Sequence, residues 1–149
     1  MESQIHKIHQ QLMNKEISCT KLVQERLDLL KQNTNNTVNS LLDSLALELA
    51  AKVDAKIESG EEIGLLEGIP FGIKDVYMVQ GTYTTASSDL LKSYKSSYTA
   101  TAIQKLFEAG AIPLVKENCD SFGHGSSSEN TIFGAVKNAI NPDLVGGGS

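Results

Sequence analysis

Two short apolar runs, Gly68-Ile69-Pro70-Phe71-Gly72-Ile73-Lys74-Asp75-Val76 and Ala111-Ile112-Pro113-Leu114-Val115, flank a stretch with helical character. That stretch runs from Thr99 or Ala100 to Ala109, and Gly110 closes it. Strand, crossover helix, strand is the pattern of a βαβ unit. It requires a parallel sheet with helices on its faces. The glycines inside the first run mark close approach of another backbone or a ligand. Thr82-Tyr83-Thr84-Thr85 is a further β-prone run.

The first third is predicted to be helical. Ile5, Ile8 and Leu12 share one helical face. Ser18 is a candidate N-cap for a second helix carrying Val23, Leu27 and Leu30. A short strand over Val38 to Leu42 precedes a third helix from about Ser44 to Glu58. Its apolar face is Ala46, Leu49, Ala50, Val53 and Ile57, and Gly60 can stop it. The first two helices have modest apolar faces and must pack on elements later in the chain. The last third, from Gly123 to Ser149, is rich in turn residues and reads as loop.

The chain has 149 residues, enough for one domain with a core. Its hydrophobic fraction of 40% and charged fraction of 21% are those of a globular protein. Net charge is -5 and the single arginine is Arg26, so no basic patch for nucleic acid is present. Cys19 and Cys119 stand far apart and make no metal-ligand cluster with the three histidines. A reduced, cytoplasmic compartment fits. No apolar run is long enough for a membrane span.

Three groups could carry chemistry. Lys74 sits directly after a glycine-rich strand. It is either a surface lysine at a strand end or a lysine in a partly dry site, where burial disfavours the ammonium and allows base chemistry. Gly146-Gly147-Gly148-Ser149 can direct backbone N–H groups at an oxyanion and offer a serine as nucleophile or proton relay. The same run is also what a flexible loop or an artificial linker looks like. Ser126-Ser127-Ser128 is a solvated turn or part of a pocket wall. Asp75 reads as a partner for backbone N–H groups, and His124 as a loop histidine.

Three segments together resemble the amidase-signature enzymes. Gly68 to Asp75 is similar to their G-I-P-h-h-h-K-D segment, where h is usually apolar. Gly110 to Asn118 is similar to G-A-x-x-x-x-K-T-N. Phe122 to Asn130 is similar to F-x-x-G-S-S-x-E-N. Phe133-Gly134, Asn138, Val145 and Gly147-Gly148-Ser149 then come in the family's order. The sequence departs from the family pattern at Glu117, Ser121, Ala139, Leu144 and Gly146. Gly146 stands where proline would have fixed φ.

The resemblance implies an α/β fold: N-terminal helices followed by the start of a mixed, largely parallel sheet flanked by helices, in incomplete form. It implies one domain over 1–149, with a helical lead-in over 1–60 and a catalytic-core portion over 64–149. The family's triad is a lysine and two serines. Lys74 matches the base and Ser149 the relaying serine. The nucleophilic serine is expected beyond these residues, so the chain alone is expected to be inactive and to expose strand edges. Gly125, Ser126, Ser127 and Ser128 resemble the pocket loop, and Gly147 and Gly148 the oxyanion loop. No metal is implied.

Within the family, the likeness is nearest to the glutaminase, A-type subunits of glutamyl-tRNA(Gln) amidotransferases. That implies glutamine as amide donor and B- and C-type partner subunits in a heterotrimer. It also implies ATP and Mg2+ on a partner, and tRNA held mainly by that partner. The alternatives are a stand-alone amide hydrolase of the same family and, from another class, a non-catalytic α/β binding module.

Overall fold

The computed structural model describes residues 3–148. Four helices, α1 (Gln4–Met13), α2 (Cys19–Lys31), α3 (Asp43–Ser59) and α4 (Thr101–Glu108), accompany three strands, β1 (Val38–Leu41), β2 (Pro70–Lys74) and β3 (Ile112–Glu117). The sheet order is β1-β3-β2. β2 runs parallel to β3, and β1 runs antiparallel to it. The expected α/β architecture with a mixed sheet is therefore present, and α4 is the crossover helix.

The start of α2 and the end of α3 show ordinary capping chemistry. The Ser18 side chain accepts from the Lys21 N–H at the start of α2. Asp54 on α3 accepts from the Cys19 and Thr20 N–H groups at 2.6 and 2.9 Å. A carboxylate at a helix N-terminus satisfies orphan donors and suits the helix dipole. It also ties α3 to α2. Gly60 ends α3 with φ +81°.

The main core joins Leu12, Cys19, Val23 and Leu27 to Ala46, Ala50, Val53 and Ile57, and sets both groups on Ile112, Leu114 and Val115 of β3. Those contacts cover the modest apolar faces of the first two helices. A second cluster packs Ile103 of α4, with Phe107 beside it, on Ile73, Val79 and Leu42. β3 is buried from Ile112 to Lys116, as expected of a central strand with both faces covered. β2 lies at the sheet edge among the described residues. Leu29, Ile140 and Leu144 stay exposed.

One expected element differs. Thr82–Thr85 does not form a strand; only an isolated bridge joins Tyr83 to Lys95. The side chains of Thr84 and Thr85 turn inward to bind Lys116 and Asp75. Ala86 and Ser87 then take left-handed φ values of 48° and 50°, which breaks extended structure.

Gly68 sets where β2 begins. Its φ is +81°, and a Cβ there would lie 2.9 Å from Leu12 Cδ1 and 3.2 Å from both Cys19 Sγ and Val53 Cγ1. Gly68→Ala is predicted to cost about 2–4 kcal/mol from left-handed strain and overpacking. A denaturant midpoint unchanged by this substitution would contradict that seat.

Candidate active site

Lys74 closes β2. Strand alternation turns Ile73 and Asp75 into the interior, both about 1% exposed, and leaves Lys74 half-buried on the other face. In register, Ile73 lies beside Lys116 and Lys74 beside Glu117. Gly123 forms the roof over Lys74. Its φ is +70°, and a Cβ there would sit 3.3 Å from Lys74 Nζ and 3.8 Å from Val76 Cγ1. Glycine suits position 123 by its left-handed backbone, and a Cβ there would press on the lysine beneath it.

Asp120 shapes the serine loop. Its carboxylate is 1% exposed and accepts from the Ser128 N–H at 3.0 Å and the Asn130 N–H at 3.2 Å. Gly125 passes so near this carboxylate that a Cβ would collide with it. Ser128 is buried with φ 57°, whereas Ser126 is exposed. Gly148 packs on the Ser126 backbone, leaving no room for a side chain. Gly147 has φ +117° and open space around it.

Of the residues singled out from the sequence, the structure brings Lys74 to the Gly123 turn and Gly148 to Ser126. Gly125 and Ser128 both sit on Asp120. Ser149 lies outside the described residues. Among the described residues, no group of three or more His, Cys, Asp or Glu side chains gathers as a metal site. No helix there is long and apolar enough to cross a membrane.

Sequence reasoning missed a buried polar network behind the site. Lys116 has no exposed side-chain surface, and its ammonium lies 3.0 Å from Asp75 Oδ1. It donates to the Tyr77 carbonyl at 2.8 Å and to Thr84 Oγ1 at 3.0 Å. Burial pulls the Lys116 pKa below its ordinary value, and the Asp75 charge pulls against that shift. Asp75 Oδ2 accepts from Asn39 Nδ2, Thr85 Oγ1 and the Thr85 N–H. Oδ1 has no hydrogen bond beyond its contact with the ammonium. Asp75 does meet a backbone N–H, as read from the sequence, but its main partner is the lysine. Ser87 Oγ links this network onward to Asn118 and the Cys119 N–H. The one available signal was the K-D and K-E-N pairing of two strand ends.

The family model for Amidase matches residues 18–149. The chain belongs to the amidase family. Among its relatives, the A-type subunit of glutamyl-tRNA(Gln) amidotransferase from Thermosynechococcus vestitus is 44% identical over 149 residues, covering 99% of this chain and 31% of the relative. This amidase-family chain thus spans under a third of the length of that curated protein. A solved bacterial aryl acylamidase of the amidase-signature family superposes on it with TM-score 0.89 and 27% identity, over 99% of this chain and 31% of that one. The solved A-type subunit of the Thermotoga maritima glutamyl-tRNA(Gln) amidotransferase gives TM-score 0.56 and 39% identity, over 60% of this chain and 20% of that one.

Glu117, beside Lys74, generates a pH prediction. Its side chain lies over Gly72 while the residue keeps an exposed surface, and the partial burial of the carboxyl raises its pKa. The charged form is disfavoured in the folded state, so a penalty builds as pH rises from the ordinary glutamate value through the raised one. Glu117→Gln should therefore raise the melting temperature at pH 7–8 and change nothing below about pH 4. A stabilisation that persists undiminished at low pH would refute this assignment.

Proposed function

We propose that this chain is part of the glutaminase subunit of a tRNA-dependent amidotransferase. That enzyme converts Glu-tRNA(Gln) to Gln-tRNA(Gln) with ammonia taken from glutamine. The observation carrying this is the Lys74 ammonium held under the Gly123 turn, in a chain 44% identical over nearly its whole length to the A-type subunit of a glutamyl-tRNA(Gln) amidotransferase.

In this reading Lys74 is the base. A serine hydroxyl is a weak nucleophile until its proton is removed. Lys74 takes that proton through Ser149, and the nucleophilic serine is supplied by a segment outside these 149 residues. Attack on the glutamine amide gives a tetrahedral oxyanion, which the N–H groups of the Gly147-Gly148 loop stabilise. Ammonia leaves with the proton returned along the same path, and water then hydrolyses the acyl-enzyme. Gly125, Ser126, Ser127 and Ser128 line the pocket. ATP and Mg2+ act on a B-type partner, which activates the tRNA-borne carboxylate and grips the tRNA. A C-type subunit completes the heterotrimer, in the cytoplasm. The chain's net charge of -5 suits a subunit that leaves the phosphate contacts to others.

A second reading, a stand-alone amide hydrolase, is favoured by the more complete superposition on the aryl acylamidase. Association with partner chains and preference for glutamine over aryl amides separate the two.

In an enzyme assembled around this chain, Lys74→Ala should lower glutamine-dependent ammonia release about 10^2–10^4-fold, the range for loss of a positioned base. Unchanged release would remove Lys74 from the chemistry. The 149-residue polypeptide alone should release no ammonia. Release that disappears on Lys74→Ala would overturn that expectation.

A further inference from the structure

We propose that Lys116 and Asp75 are positioning residues for Lys74: as a buried pair they anchor the backbone that roofs Lys74, and they cancel the carboxylate charge adjacent to it. This rests on the reading of Lys74 as the reacting base.

The anchoring can be traced bond by bond. Between β2 and α4 the chain leaves the sheet and returns. Lys116 holds the outgoing limb at the Tyr77 carbonyl and the returning limb at Thr84 Oγ1. Asp75 holds the next residue of the returning limb through Thr85 Oγ1 and N–H, and its own carbonyl accepts from the Ala86 N–H. The limb so fixed presents two carbonyls to the turn after β3. Ala86 O accepts from the Phe122 N–H at 2.9 Å, and Ser87 O accepts from Ser121 Oγ at 3.0 Å. The next residue is Gly123, the neighbour of Lys74 Nζ.

Asp75 comes directly after Lys74 and lies on the opposite side of the strand. Its Oδ2 accepts from three donors. Without a counter-ion, the Asp75 charge would attract the Lys74 ammonium and slow its reaction as an amine. Lys116 supplies the counter-ion at 3.0 Å. The titratable group that the register places beside Lys74 is Glu117, and Asp120 and His124 stand near the Gly123 turn in sequence. None of these replaces Lys116 beside Asp75.

The test reads the amine itself, without turnover. Lys74 acetylation by trace acetic anhydride at pH 8 is compared with that of exposed Lys21 by peptide mass spectrometry. Lys116→Gln keeps a donor and removes the charge. It should slow Lys74 labelling about tenfold, the effect of one uncompensated neighbouring charge. Lys116→Gln/Asp75→Asn should restore it to within about twofold of wild type. Loosened structure alone would speed labelling, the opposite sign. An unchanged or faster rate in Lys116→Gln, or a double variant as slow as the single, would overturn the proposal. If Lys116→Gln fails to fold while the double variant folds, the lone carboxylate is the fault and the proposal stands. Failure of both to fold would overturn the charge-cancelling role, because removing both charges together would then restore nothing. Failure of the amidotransferase reading shows separately, as indifference of ammonia release to Lys74→Ala.

Discussion

A lysine ammonium and a carboxylate, both withdrawn from water, join the two parallel strands at the end where Lys74 and the Gly123 turn lie. Lys116 and Asp75 are 0% and 1% exposed in their side chains. Taking two charges out of water is costly, and a pair this deep is retained only when its remaining polar positions are filled. Here most are filled, by a carbonyl, two threonine hydroxyls, an asparagine amide and a backbone N–H. Leaving either charge alone would cost about 3–5 kcal/mol. The segment after β2 therefore has a strong reason to return to one place.

The rest of the site inherits that fixed return. Parallel pairing of β2 with β3 brings both strands' C-terminal ends to the same side, where open α/β sheets present their reactive groups. Lys74 leaves from one strand end, and the turn that covers it leaves from the other. The helices serve this arrangement at a distance. The Asp54 carboxylate binds α2 to α3, and both pack on β3. The strand that carries Lys116 is thus held by the helices behind it as well as by its neighbours in the sheet.

Much of the architecture was legible in the sequence because it depends on near neighbours. The spacing of Val23 and Leu27, the Ser18 cap and the Gly60 stop are local signals, and each element formed within a residue or two of its expected bounds. The apolar Ala111–Val115 run reads as a strand, and β3 covers most of it. What could not be read depends on contacts between distant positions. Thr82–Thr85 has strand-like composition, yet its conformation is decided by Lys116, more than thirty residues later. Lysine is ordinarily a surface residue, so nothing local marked Lys116 as buried. Asp120 was legible as an acid but not as the carboxylate around which the serine loop folds. The serines drew attention by their chemistry, and their shape is set by a residue outside the cluster.

That last arrangement separates frame from lining. Asp120 grips main-chain N–H groups of Ser128 and Asn130, and Gly148 rests on the main chain of Ser126. None of these contacts reads the side chains at 126 and 127. On the proposed reading of this loop as a pocket wall, a gene duplicate could exchange those two hydroxyls for other groups while the loop keeps its course. A single fold that hosts many amide chemistries needs this kind of freedom: a wall whose surface can be rewritten without moving the wall.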